Sequence, residues 1–495
     1  MSDTTLAALR SALAPKAGMR RIPFPLESYQ HPSMPLQSKR LLNLFAEQEP
    51  DDSRTAAALL SVPDLEQQGT VGVGPILAMN SDMPEQIYIV SGDHLYRVRW
   101  SAGAFDAPED LGYIGTTDAN FMVTLAVGVT ACVVCVPPRA YTCGHYGSGV
   151  PLNQLGGTFP PDGANSVAYL DGYFLFTSTE TSSRFFTSRL LDPNNYDALD
   201  FAYADAMPNI VDRVIAHRGD AWLIGQSGIE IWYNAGNPDF PFRRRPGGVI
   251  DRGCARMQSV ALGDGSVFWT GIDNVVYRSV GYQPKRISNH GIEAMIRAQS
   301  SFSVVTAFCY SEFGHTFYVV TFAGTQVTPE PTAGLVTVAY DCATGLWHDR
   351  SSATEGVRRW RPQCSAKYND TPILGDAWSN TVWFPSKRAA GIGGREVRSA
   401  VLPPLWAGTN RAFCSRLEIE LDTPGYLGPI LLEWSDDGGY HWTGLRTMND
   451  LAQAEGRRRV FTTRLGSFRQ RVFCITAYGM INLYAVDCDI QPGAW

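Results

Sequence analysis

The sequence predicts an all-β chain: a β-propeller, with six blades the expected number, an additional C-terminal β domain and an N-terminal arm. Three observations carry this. A small unit of strand, tight turn and second strand recurs at spacings of roughly 35 to 55 residues, which brackets the period of four-stranded propeller blades. The 47 Gly and 31 Pro are spread along the 495 residues and not gathered in one tract, so they read as turns between many short strands. Aromatic residues make up 11% and charged residues only 18%, against about 25% charged in an ordinary globular chain. Such a composition favours buried β structure and subunit contacts.

Residues 1–74, rich in Pro and poor in periodicity, read as an arm or lead-in that becomes ordered on a neighbour. Within them Leu6, Leu9 and Leu13, three and four apart before Pro15, suggest a short helix. Residues 75–390 carry the repeating unit. Its first clear copy runs from Ile87 to Val98, with Gly92-Asp93 as the hairpin turn between two apolar runs. Further copies begin near Ala131, Ser166, Ala221, Ser266, Thr316 and Pro372. One such sheet cannot bury both faces alone. Stacking six or seven around an axis buries them all and leaves only short edges; the rival architecture is a pair of β-sandwiches. Gly291 to Ile296 predict about two turns of helix. After the small-residue linker Lys387 to Gly394, longer strands around Arg416–Leu421, Ile430–Trp434, Arg471–Ile475 and Ile481–Val486 predict a separate β domain over 391–495.

A formal net charge of −7 argues against a protein that grips nucleic acid through its phosphates, though not against a surface that DNA slides past. No basic segment followed by an apolar run opens the chain, and nowhere do 18 apolar residues stand together. Cytoplasmic synthesis without signal peptide or membrane span is expected. The ten Cys, Cys132, Cys254, Cys309, Cys414 and Cys488 among them, lack the dense spacing of a disulfide scaffold and read as reduced, packed thiols.

Motifs with chemical meaning are few. Ser435-Asp436-Asp437-Gly438-Gly439-Tyr440-His441-Trp442 fits the Asp-box pattern and resembles the turns of sialidase propellers. There the Asp closes a hairpin and the Trp packs beneath it, away from the catalytic centre. A sialidase also needs several boxes, an arginine cluster and a Tyr nucleophile with an acidic partner; one box is a fold element. Cys132 and Cys135 have the spacing of a zinc or redox pair, but positions three apart on a strand point to opposite faces. His290 and His315 stand alone and read as structural. The Gly-rich stretches lack the Lys-Ser/Thr ending of a phosphate loop. Arg243-Arg244-Arg245 and Arg457-Arg458-Arg459 could touch a DNA backbone; the plainer readings are solvated loops or salt-bridged contacts. No catalytic residue, cofactor site or metal site is predicted, and no enzyme.

The stretch from Ile210 to Ile296 carries a family resemblance. It holds Trp222-Leu223-Ile224-Gly225, Gly228-Ile229-Glu230-Ile231-Trp232-Tyr233-Asn234-Ala235-Gly236, Asp239-Phe240-Pro241-Phe242, and Asp251-Arg252-Gly253-Cys254-Ala255. Val267-Phe268-Trp269, Val276-Tyr277-Arg278, Gly281-Tyr282-Gln283-Pro284 and Arg286 to Glu293 follow. Flanking echoes are Asn43 to Glu47, Ile89 to Gly92 with Leu95-Tyr96, Gly314 to Tyr318, and Tyr340-Asp341 with Gly345 to His348. In these residues the chain resembles the packaged DNA stabilisation proteins, or tail nozzle and hub proteins, of short-tailed phages. Asn289 stands where Thr is expected, and Phe121 to Pro151 match little.

The resemblance implies a structural virion protein: a β-propeller subunit of a hexameric ring below the portal and adaptor rings. That ring would retain packaged DNA and conduct it during ejection. It also implies partners: the head-to-tail adaptor protein, a tail fibre or spike, a tail needle or plug, and genomic double-stranded DNA passing without sequence preference. The expected location is the virion tail, assembled in the host cytoplasm. The alternative function is a carbohydrate-binding or glycosidase-like propeller of a receptor-binding tail component.

Overall fold

Two-residue turns set the hairpins. Asp171-Gly172, Arg218-Gly219, Asp264-Gly265 and Phe313-Gly314 each have both φ angles positive, as a type I′ turn requires to follow the strand twist. Each joins the first and second strands of a propeller blade. The computed structural model describes residues 18–29, 39–48, 57–83, 85–101, 104–116, 122–180, 182–206, 210–238, 240–297, 304–323, 335–352, 359–368, 370–386, 396–453 and 457–493.

Six sheets are contiguous in sequence. Their first strands are Ile76–Asn80 (blade 1), Thr124–Val127 (blade 2), Ala164–Leu170 (blade 3), Val211–His217 (blade 4), Ala261–Gly263 (blade 5) and Val304–Glu312 (blade 6). Their fourth strands are Glu109–Tyr113, Asn153–Gln154, Phe201–Tyr203, Phe242–Ile250, Gln283–Arg286 and Trp347–Arg350. A composite sheet closes the ring as blade 7. Pro362–Tyr368, Thr371–Asp376 and Thr381–Ser386 take Asp64–Thr70, from before blade 1, as their outer strand. The expected six blades are those built from contiguous sequence. The seventh falls outside such a count because its last strand lies more than 300 residues away, although its copy of the repeat, at Pro372, is legible.

Seven separate apolar cores lie between successive blades, and strand alternation builds them. In blade 1, Ile87 and Ile89 pack with Ile373 and Val382 of blade 7, while Tyr88 and Val90 pack with Cys132 and Val134 of blade 2. The same division repeats around the ring, with Phe174 and Phe176 against Val133, Trp232 against Phe185, Trp269 with Trp222, Phe268 against Tyr318, and Phe308 against Trp360. Aromatic enrichment in the sequence thus becomes inter-blade cement.

The C-terminal unit is a two-sheet sandwich. Long strands Ala412–Asp422 and Asn482–Pro492 pair in one sheet; Arg398–Val401, Gln470–Ala477 and Leu431–Ser435 run in the other. One buried cluster, with Leu417, Ile419, Leu432, Phe473, Ile475 and Val486, fills the space between them.

Over its described residues the N-terminal lead, expected as an arm, pairs with both units. Gly18–Arg21 pairs with Asn482–Pro492, and Leu44–Gln48 with Ala57–Ser61 extends the sandwich edge. Arg40–Leu42 joins blade 6 to the sandwich, meeting Asp349 in parallel and Arg398–Val401 in antiparallel register. The reason is burial, since Leu41, Leu44, Ala46 and Leu59 complete the sandwich core. The helix suggested at Leu6 to Leu13 lies outside the described residues.

The expected helix after blade 5 spans His290–Arg297. Asn289 caps it, its side-chain oxygen accepting from the Ile292 N–H at 2.9 Å. Asn caps a helix at least as well as Thr, so the departure from the expected residue keeps the local chemistry. No helix among the described residues is long and apolar enough to cross a membrane.

Candidate functional site

The inner strands of all seven blades surround an axial cavity of about 790 Å³. Every blade contributes, from Asp82 of blade 1 through Met122, Tyr169, Arg213, Val260 and Tyr310 to Lys367 of blade 7. Arg213 is its most constrained charge. Nη1 donates to the carbonyl oxygens of Met257 (2.7 Å) and Val260 (2.8 Å) and lies 3.4 Å from the Met122 sulfur. Burial pulls the Arg213 pKa down to about 10, which still leaves it charged at neutral pH.

A smaller cavity of about 260 Å³ lies where blade 6 meets the sandwich. His315 stands there between two acids, Nδ1 at 2.9 Å from Asp341 and Nε2 at 2.7 Å from Glu47. The hydrogen bond to Asp341 raises its pKa; burial opposes this, and the charges of Asp341 and Glu47 add to the rise. Sequence reading treated His315 as solitary because Glu47 is 268 positions away. Its geometry is that of a clamp between two units. His290, by contrast, is exposed at the start of the helix.

The Asp-box segment closes a hairpin in the sandwich. Asp437 Oδ1 accepts from the Ser435 hydroxyl (2.7 Å) and from the N–H groups of Tyr440 (3.0 Å) and His441 (2.9 Å). The His441 N–H, then the Ser435 hydroxyl and the His441 ring, hold its pKa below the usual carboxylate range. Trp442 packs on Val401, Val472 and Cys474, and buried Arg471 grips Asp436 at 2.6 and 2.7 Å. These are turn and packing roles.

Cys132 and Cys135 face different cores, the first between blades 1 and 2, the second between blades 2 and 3. Alternation separates them, as their spacing requires. The first basic run lies on the outer strand of blade 4. Arg245 is bound to Asp220 and lies over the Tyr233 ring, Arg244 faces Glu230 at 3.8 Å, and Arg243 is exposed. In the second run Arg458 is buried against Asp450, Arg459 faces Glu418 at 3.8 Å, and Arg457 is exposed. Neither run forms a continuous free basic stripe.

A model of the family described as "Phage_stabilise: Bacteriophage P22 Gp10, beta-propeller" matches residues 31–382. No curated protein sequence matches the chain. Among solved structures, the WD40 β-propeller domain of Doa1 is similar at 10% identity and a TM-score of 0.41, covering 65% of this chain and 98% of that one. Streptogramin B lyase is similar at 10% identity and a TM-score of 0.42, with 64% and 96% covered. YCF48 bound to a D1 peptide gives 10% identity, a TM-score of 0.39 and coverage of 66% and 100%.

Proposed function

The chain belongs to the phage DNA-stabilisation family of Bacteriophage P22 Gp10, and from that premise we propose that it is a structural subunit of a hexameric tail nozzle. In this reading the ring extends the portal and adaptor channel of a short-tailed phage, retains packaged DNA and conducts it during ejection. The observation that carries the proposal is the family match across residues 31–382, which takes in the whole propeller up to its last blade.

Physical features support it. The propeller's own axis is no DNA conduit: its cavity of about 790 Å³ is the size of a small-molecule site. A conduit for duplex DNA therefore has to be formed between subunits arranged in a ring. Exposed apolar side chains on the sandwich, Trp406, Phe413, Leu427 and Tyr440, are surfaces a ring contact would cover. The net charge of −7 suits a wall that DNA slides past without being held by its phosphates. The adaptor, a fibre or spike, and a needle or plug are the partners proposed with it, and no reaction is proposed.

Light scattering of the purified protein, alone and mixed with portal and adaptor proteins, followed by negative-stain imaging, tests this. A six-fold ring that docks on the adaptor supports it. A stable monomer that ignores the adaptor and binds or cleaves polysaccharide overturns it.

A further inference from the structure

The axial cavity contains a positive charge that no acid among the described residues neutralises. Arg213 spends Nη1 on two carbonyl oxygens and a sulfur, which fixes the guanidinium plane. Its Nε is buried without a hydrogen-bond partner among the described residues, and no carboxylate there pairs with it. The adjacent Asp212 does not serve, because it is engaged by Gln226 and acted on by Arg256. The other charged side chains of the lining are engaged elsewhere: Asp82 accepts from the Asn80 side chain, and Lys367 pairs with Asp370. Met122, whose sulfur Arg213 approaches, lines the cavity beside it.

A cation held in place, mostly buried and left without a described counter-charge is costly unless an anion joins it. Guanidinium also suits one type of ligand group, since its planar edge matches a carboxylate or a phosphate. We propose that the axial cavity is a binding site for a small molecule bearing an oxyanion, held by the guanidinium of Arg213 with Met122 beside it. The site is independent of the ring proposed above, because seven blades of one chain complete it.

Thermal unfolding of the full chain, titrated with inorganic phosphate or with acetate against sodium chloride at matched ionic strength, tests the proposal. The expected result is a saturable rise in melting temperature of about 2 °C with one of the two, which also tells phosphate from carboxylate preference. Arg213→Gln should abolish the rise, while Arg243→Gln, at an exposed position on the outer strand of the same blade, should retain it. A rise that does not saturate, or one equal in Arg213→Gln, overturns the proposal. If Arg213→Gln does not fold, wild-type crystals soaked in bromide decide. An anomalous peak within hydrogen-bonding distance of Arg213 supports the site, and a cavity without one refutes it.

Discussion

Replacing Asn43 should loosen the joint between propeller and sandwich more than any nearby surface change. Asn43 is fully buried at φ 53°. Its Nδ2 donates to the carbonyl oxygens of Ser351 (2.7 Å) and Val397 (2.8 Å), and its Oδ1 accepts from the Ser351 N–H (2.9 Å). One side chain thus ties the N-terminal lead, the end of blade 6 and the entry to the sandwich. Asn43→Ala orphans three buried groups at about 1–2 kcal/mol each, about 3–6 kcal/mol together, and adds about 1 kcal/mol for a Cβ residue in the left-handed region. Asn43→Gly loses the same bonds without the conformational term, so it should fall short of Asn43→Ala by about 1 kcal/mol. Asn43→Asp should do worst, because a carboxylate keeps the Ser351 N–H but faces two carbonyl oxygens. Urea unfolding followed by tryptophan fluorescence gives the totals, and hydrogen exchange over Leu44–Gln48 and Arg398–Val401 localises the loss. The reasoning is refuted if Asn43→Ala unfolds within 1 kcal/mol of wild type, or if Asn43→Gly restores full stability and places the whole effect on backbone strain.

Three further outcomes are expected. His315 has a folded pKa raised above its unfolded value near 6.5, so its clamp contributes fully below that value and is lost as pH rises through the folded pKa. The melting-temperature gap between wild type and His315→Gln should be wide at pH 5.5 and narrow at pH 9; a pH-independent gap would sink the idea. Arg398, fully buried, ties Asp64 at the start of the closing strand to Glu396 and the Val62 carbonyl oxygen. Arg398→Met strands two buried carboxylates and should cost about 3–5 kcal/mol at pH 8. Burial raises the Glu396 pKa to about 7 even with Arg398 beside it, and removing the guanidinium raises it further, so the loss should shrink as pH falls; denaturant unfolding at pH 6 and 8 measures this. Asp437→Asn should speed amide exchange at Tyr440 and His441 while leaving the propeller's exchange unchanged, and protection equal to wild type would contradict the hairpin role.

Local signals in the sequence were enough to place each repeat. The seven copies noted from Ile87 to Pro372 fall in seven different sheets, because a hairpin is specified by its own turn residues and the alternation beside them. Gly253 illustrates the same point at one residue. A Cβ there would stand 1.8 Å from the Gln226 carbonyl oxygen, so the Arg-Gly-Cys run records a close backbone crossing. Long-range pairing left no such mark. Asp64-Leu65-Glu66-Gln67-Gln68-Gly69-Thr70 reads as polar coil until Thr381–Ser386 supplies the partner strand. The axial arginine was equally silent. Arg213 is one of two adjacent charges in Val211–His217, and only the arrangement of seven inner strands shows that no acid among the described residues pairs with it.

Ring closure explains why the lead and the C-terminal domain belong to one design. Joining Asp64–Thr70 to Thr381–Ser386 closes a loop of about 310 residues, an entropic cost of roughly 5 kcal/mol from chain length alone. One outer strand on an otherwise complete blade is a modest return for that cost, and an open blade 7 would expose an unpaired edge. The sandwich supplies the difference. Arg40–Leu42, Leu44–Gln48 and Ala57–Ser61 are anchored in it just before the closing strand begins, and Arg398 then fixes Asp64 from the sandwich side. Once the sandwich has formed, the remaining gap to blade 7 is bridged by only a few residues, and the closing strand pairs at a high effective concentration. The propeller can therefore open only by breaking the sandwich edge or the Arg398 network. For a subunit proposed to stand in a wall beside moving DNA, a closure secured from outside the ring places its weakest seam where two units brace it.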